Sequence, residues 1–151
     1  MTTEAQRVLP GERAKAVAAL EVLLRIMRLA VDCFPDDDLE TILVLLTVAA
    51  ASSGSHLRDP AILASMDGGP VPDHLHKPIS GRAVAQSTGL PRETVRRRID
   101  ALVSAGRLTR EARGVRTSTG VITRNRNLEF SRQLIQELTS ASARINRYDV
   151  S

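Results

Sequence analysis

Arg92, Thr94, Arg96, Arg97 and Arg98 crowd one short stretch of the chain, residues 91–105, and their types suit anion recognition. A guanidinium is a planar fork of N–H donors. It matches phosphate oxygens, or the O6 and N7 edge of guanine, two bonds at a time. In the same stretch apolar residues recur at Val95, Ile99, Leu102 and Val103. That i, i+4, i+7, i+8 spacing is the stripe of an amphipathic helix facing a core. The other face, near the N-terminal end, then carries the arginines. Four more residues extend the set. Ser80 and Arg82 begin the preceding helical segment, and Arg113 and Arg116 flank Gly114.

The charge balance points the same way. From Arg82 to Arg126 there are eleven arginines against Glu93, Asp100 and Glu111, a balance of +8. The remaining residues balance to −4, with ten basic and fourteen acidic side chains. A local basic excess on an otherwise acidic chain is the footprint of a polyanion site. The competing reading is a solvated charged face with no partner.

The elements that must position these residues are legible. Ser80 caps a first helix through its hydroxyl. Val84 and Ala85 lie on it, and Ala85 is small enough for close helix packing. Gly89 supplies the turn, since glycine reaches positive φ without a steric penalty. Leu90 points back to the core, and Pro91 opens the second helix. Gly106 stops that helix. Two strand-like runs follow, residues 107–111 and 118–123, around a turn at residues 112–117. A tight helix–turn–helix puts the start of its second helix against base edges in the major groove.

These residues resemble bacterial winged helix-turn-helix transcription regulators of the GntR, IclR and MarR kind. The resemblance rests on Val84-Ala85, Thr88-Gly89-Leu90, Thr94-Val95, Ile99, Leu102 and Gly106-Arg107-Leu108, and covers about a third of the chain. It is specific for the fold, not for one family. Arg98 departs from it, standing where these families often carry a small or apolar residue. The implied fold is mainly α: a winged helix-turn-helix with a small β-hairpin wing, flanked by N- and C-terminal helices for dimerisation. Ile79 is expected to give the wing a short first strand. The implied function is sequence-specific binding of double-stranded DNA by a homodimer that regulates bacterial transcription. A protein-interaction adaptor on the same scaffold is the alternative, which the +8 segment disfavours. Arg92, Thr94, Arg96 and Arg97 are the expected base or phosphate contacts. Ser80 and Arg82 are expected to hold phosphates, and Arg113 and Arg116 to reach the minor groove or its backbone.

The chain divides into four expected regions: a helical dimerisation region at 11–53, a linker at 54–78, the DNA-binding domain at 79–125 and a C-terminal helix at 126–148. In the first, Val17, Leu20, Leu24, Met27, Val31 and Phe34 alternate spacings of three and four, a short heptad seam. Ala16, Ala19, Leu23, Ile26 and Ala30 lie beside it. A subunit interface is the favoured use of this helix, and burial within one subunit the other. Leu134, Leu138, Ala141, Ile145 and Tyr148 repeat the spacing near the end, for the core or for a dimer. Residues 39–51 are almost wholly apolar, as in a buried helix.

Other chemistries are weaker. Asp36, Asp37 and Asp38 read as helix-capping residues rather than metal ligands. His74 and His76, with His56 upstream, could bind a transition metal, but no further ligands accompany them. No phosphate-binding glycine loop, zinc spacing or nucleophile–base pair is evident, so neither an enzyme nor a cofactor is expected. Aromatics are only 2% of the chain, and none falls in the basic region to stack on single-stranded bases. The loop at 54–78 is where a small-molecule effector would be sought. The lone Cys33, the lack of an apolar leader and the short apolar runs suggest a cytoplasmic protein without a membrane span.

Overall fold

A computed structural model describes residues 7–54, 56–121 and 124–149. The fold is mainly helical, with a two-stranded antiparallel sheet. The chain forms two compact units, one of residues 34–128 and one of residues up to 33 and from 129 onward.

In the unit of residues 34–128, Asp38 starts helix α2 (Leu39–Ser53) by accepting the Thr41 N–H at 2.8 Å. Hydrogen bonding from Thr41, its side chain first and its backbone N–H second, holds the Asp38 carboxyl below its usual range. Ile42, Val44, Leu45 and Val48 are buried. α2 packs against α4 (Gly81–Thr88), α5 (Arg92–Ser104) and strand β2 (Gly114–Thr117). The short helix α3 (Pro60–Met66) is capped by Asp59. Burying a Val, Leu or Ile stabilises a fold by ~1.5–3 kcal/mol. The core is correspondingly aliphatic: Val84, Val95, Ile99, Leu102, Leu108 and Val115 are all buried.

One expected boundary changes. The region 11–53 is not one piece, because the unit boundary falls between Cys33 and Phe34. α2 is apolar nearly all round and serves as the central core helix of the unit of residues 34–128, the basic unit, which holds the arginine-rich segment. Within 54–78, α3 is the short helix that Asp59-Pro60 leads one to expect through Met66; the stretch also buries His76, and its Lys77 N–H bonds the Ser52 carbonyl at 2.9 Å.

The hairpin is shifted as well. β1 (Leu108–Glu111) pairs with β2 from Leu108↔Thr117 to Glu111↔Gly114, so only Ala112 and Arg113 form the connection. The second strand was expected at 118–123, of which 122 and 123 lie outside the described residues. Val115 is the cause. It is buried and forms a bridge to Ile79, with N–O distances of 2.8 and 2.9 Å. Gly114 permits that approach, because a Cβ there would overlap the Ile79 carbonyl oxygen. Ile79 thus supplies the short third edge.

In the other unit, α1 (Glu12–Cys33) and α6 (Asn125–Asn146, whose first turn belongs to the basic unit) run antiparallel. The ion pairs Lys15–Asp149 and Arg25–Glu137, the latter at 3.6 Å, set that direction. α1 buries Ala18, Val22 and Ala30. The seam residues Val17, Leu20, Leu24, Met27 and Val31 are exposed, as are Leu23, Ile135 and Leu138. Phe34, assigned to the same seam, instead lies buried in the basic unit, where the Arg107 guanidinium sits 5.7 Å from its ring centre. No described helix is long and apolar enough to cross a membrane.

Candidate nucleic-acid interface

The site is built on two helix starts and a hairpin. Ser80 Oγ accepts the Ala83 N–H at 3.1 Å and fixes the first turn of α4. Gly89, at φ 72°, closes α4 in the left-handed region and donates its N–H to the Ala85 carbonyl at 2.9 Å. The chain then turns within two residues, and α5 begins at Arg92 with Pro91 at its cap. Val95, Ile99 and Leu102 are at most 3% exposed, which fixes the rotation of α5 about its axis.

That rotation sorts the arginines. Arg92, Arg96 and Arg97 are exposed, and Thr94 is half-buried. Arg98 turns toward α2, where it pairs with Asp38 at 2.7 Å and Glu40 at 2.8 Å. The Glu40 bond raises its pKa, and its Nε is buried without a hydrogen-bond partner. Its departure from the resembling families is therefore a structural tie. Arg107 makes a similar tie, with Asp37 at 2.7 Å.

Arg82, Arg92, Arg96 and Arg110 line one groove between the start of α4, the outer side of α5 and the hairpin. Its volume is about 320 Å³, and Gly81 and Gly114 form part of its floor. Arg96 pairs within the helix, with Glu93 at 2.6 Å and Asp100 at 2.8 Å. Asp100 also holds Arg110. The hydrogen bond from Arg96 holds Glu93 below the usual carboxylate range and raises Arg96 itself. These groups are solvent-exposed, and exposed ion pairs contribute little net stability. An incoming phosphate can therefore compete for them. Among the described residues Arg82, Arg92, Arg97 and Arg113 make no ion pair within 4 Å, although the Arg97 charge helps to lower the Glu93 pKa.

No family model, curated protein or solved structure matches the chain.

Arg116 is the clear correction. It was expected at the hairpin tip but lies in β2 with its side chain 10% exposed. It binds Glu111, approaches Asp73 at 3.5 Å and donates to the Thr117 carbonyl at 3.1 Å. The shifted hairpin explains this, because a residue read as turn is paired opposite Thr109. Arg113 remains at the tip, exposed. Arg110 is the groove residue that the sequence did not single out. A four-residue strand has too few alternations to say which way its side chains point.

The acidic run has three separate tasks. Asp38 caps α2, Asp37 pairs with Arg107, and Asp36 lies 3.7 Å from Arg126. His74 is exposed. His76 is buried, with Nε2 3.2 Å from the Val71 carbonyl and Nδ1 3.4 Å from Thr117 Oγ1.

Proposed function

We propose that the chain is a sequence-specific double-stranded DNA-binding transcriptional regulator, a winged helix-turn-helix protein that acts as a homodimer. The observation that carries this reading is the rotation of α5. Its apolar stripe and Arg98 face inward, and Arg92, Arg96 and Arg97 are left on the outer side, two of them sharing a groove with Arg82 and Arg110. The element order also supports it: a core helix, the Ile79 bridge, two helices about a tight turn, then a hairpin.

In this reading the first turns of α5 enter the major groove. Arg92, Thr94, Arg96 and Arg97 contact bases or phosphates. A bidentate arginine–guanine pair supplies ~1–3 kcal/mol of discrimination. Ser80, at the start of α4, and Arg82 hold backbone phosphate through N–H groups and charge. Arg110 joins them, and Arg113 reaches the minor groove from the hairpin tip. Arg116 is left out because its donors are occupied inside the fold. The exposed apolar residues of α1 and α6 support pairing with a second copy. A twofold pair calls for an inverted-repeat site with half-sites ~10 bp apart. No step of bond-making chemistry is assigned to the chain.

Selection of bound duplexes from a random library, with the solution mass measured on the same sample, tests the proposal. An enriched inverted repeat bound by two subunits is the expected result. A single subunit with no preference for any duplex over bulk competitor at moderate ionic strength would sink it.

A further inference from the structure

Within the same unit, the segment between α2 and α4 borders a second, partly open hollow that shares no lining residue with the arginine groove. Leu57, Met66, Pro70 and Val71 face Val121 across a cavity of about 190 Å³. Among the described residues no charged side chain lines it. Its polar side chains, those of His76, Thr117 and Ser118, already have partners. His76 Nε2 lies 3.2 Å from the Val71 carbonyl, which can only accept, so Nε2 carries the proton. Nδ1 is then free to accept from Thr117 Oγ1 at 3.4 Å, so both ring nitrogens are engaged. Ser118 Oγ is engaged with Thr109 Oγ1 at 2.9 Å.

These features select a guest. The wall is mostly apolar, and an apolar cavity of about 150 Å³ lined by Leu, Ile and Phe accepts benzene. A carboxylate would lose its hydration and gain no counter-charge. Exposed Gly69 and Pro70 form the rim, giving the guest a way in. We propose that this cavity is a binding site for an uncharged, single-ring aromatic compound. The site stands apart from the DNA reading, and either can fail without the other.

The methionines provide the test. Met66 lines the cavity, while Met27 is exposed on α1 in the other unit. Full-length protein labelled at its methionine methyls is titrated with toluene and, separately, with benzoate. Toluene should shift the Met66 methyl saturably and leave Met27 in place, and benzoate should move neither. Val71→Phe, which fills the cavity from its half-buried rim, should weaken toluene binding by about tenfold or more. If that variant does not fold, the two titrations of the unaltered protein decide. An unmoved Met66 signal up to the solubility of toluene, parallel drift of Met27 and Met66, or equal saturation by benzoate overturns the proposal. So does a folded Val71→Phe that binds toluene as tightly as before.

Discussion

α5 hides Val95, Ile99 and Leu102 and turns arginines to solvent, whereas α1 hides Ala18, Val22 and Ala30 and turns Val17, Leu20, Leu24, Met27 and Val31 to solvent. The two helices use their amphipathic character in opposite senses. The basic unit has closed a core of its own, and its helix α5 offers charge outside, although Leu39, Leu43 and Leu63 of that unit are exposed. In the other unit Val22 and Phe130 are buried, but many of the larger side chains stay exposed, and alanine makes up much of the buried face of α1. Large contiguous apolar patches are uncommon on monomeric proteins and mark association surfaces. On the proposed reading, pairing falls to one unit and anion recognition to the other.

The strongest way to break that assignment is to make α1 polar. Leu20→Lys with Leu24→Lys alters only exposed positions, so helix content should persist. The proposed dimer should fall to single subunits in sedimentation. Affinity for an inverted repeat should drop about 100-fold or more, because the second half-site no longer benefits from linked binding. Unchanged mass and affinity would return α1 to a role within one subunit.

Next in size is a contrast inside the basic unit. Arg97→Ala should weaken binding to the selected site by about tenfold, within the ~1–3 kcal/mol of one arginine–base contact, and leave the thermal midpoint in place. Arg98→Ala should do the reverse, lowering the midpoint because Asp38 and Glu40 lose their partner. Equal effects on binding would mean that the rotation of α5 is misread. A similar pair sharpens the hairpin. Arg113→Ala should reduce the log–log salt slope by ~0.9, the share of one phosphate contact. Arg116→Ala should leave the slope alone and cost about 1–3 kcal/mol of stability, as expected when charged hydrogen bonds of a buried group are lost.

These pairs also mark how far the sequence could be read. The two helices and their turn were legible because Ser80, Gly89 and Pro91 punctuate locally and Val95, Ile99 and Leu102 repeat with helical period. The direction of each arginine was not legible to the same degree. Arg98 is fixed by acids 58 and 60 residues before it, so its role depends on long-range packing, and Arg116 is fixed chiefly by Glu111, which the register of the hairpin brings to it. α2 was assigned to the wrong region for a related reason. A helix apolar all round has no face to say which partner it serves. Val115 was read as turn because Gly114 beside it looked like a hairpin apex, although that glycine is what lets Ile79 pair alongside.

The smallest expected effect lies at the start of α2, where the basic unit's core helix meets α5. Asp38 caps α2 and also pairs with Arg98, and its folded pKa lies below the ordinary 3.8, chiefly through the Thr41 hydrogen bond. A carboxyl whose pKa is depressed by folding contributes stability that is fully present above the unfolded value. That contribution disappears as pH falls through the folded value. Asp38 should therefore stabilise the protein fully above about pH 4–5 and lose its contribution in more acid solution. Asp38→Ala should cost ~1 kcal/mol at neutral pH, the usual worth of an N-cap. Asp38→Asn keeps a capping oxygen but no titrating group, so its deficit relative to the native chain should shrink as the pH is lowered below 4. Thermal midpoints of both variants from pH 3 to 7 check this. A deficit for Asp38→Asn that is constant with pH would mean that the folded environment does not favour the carboxylate, and that Arg98 is held by Glu40 alone.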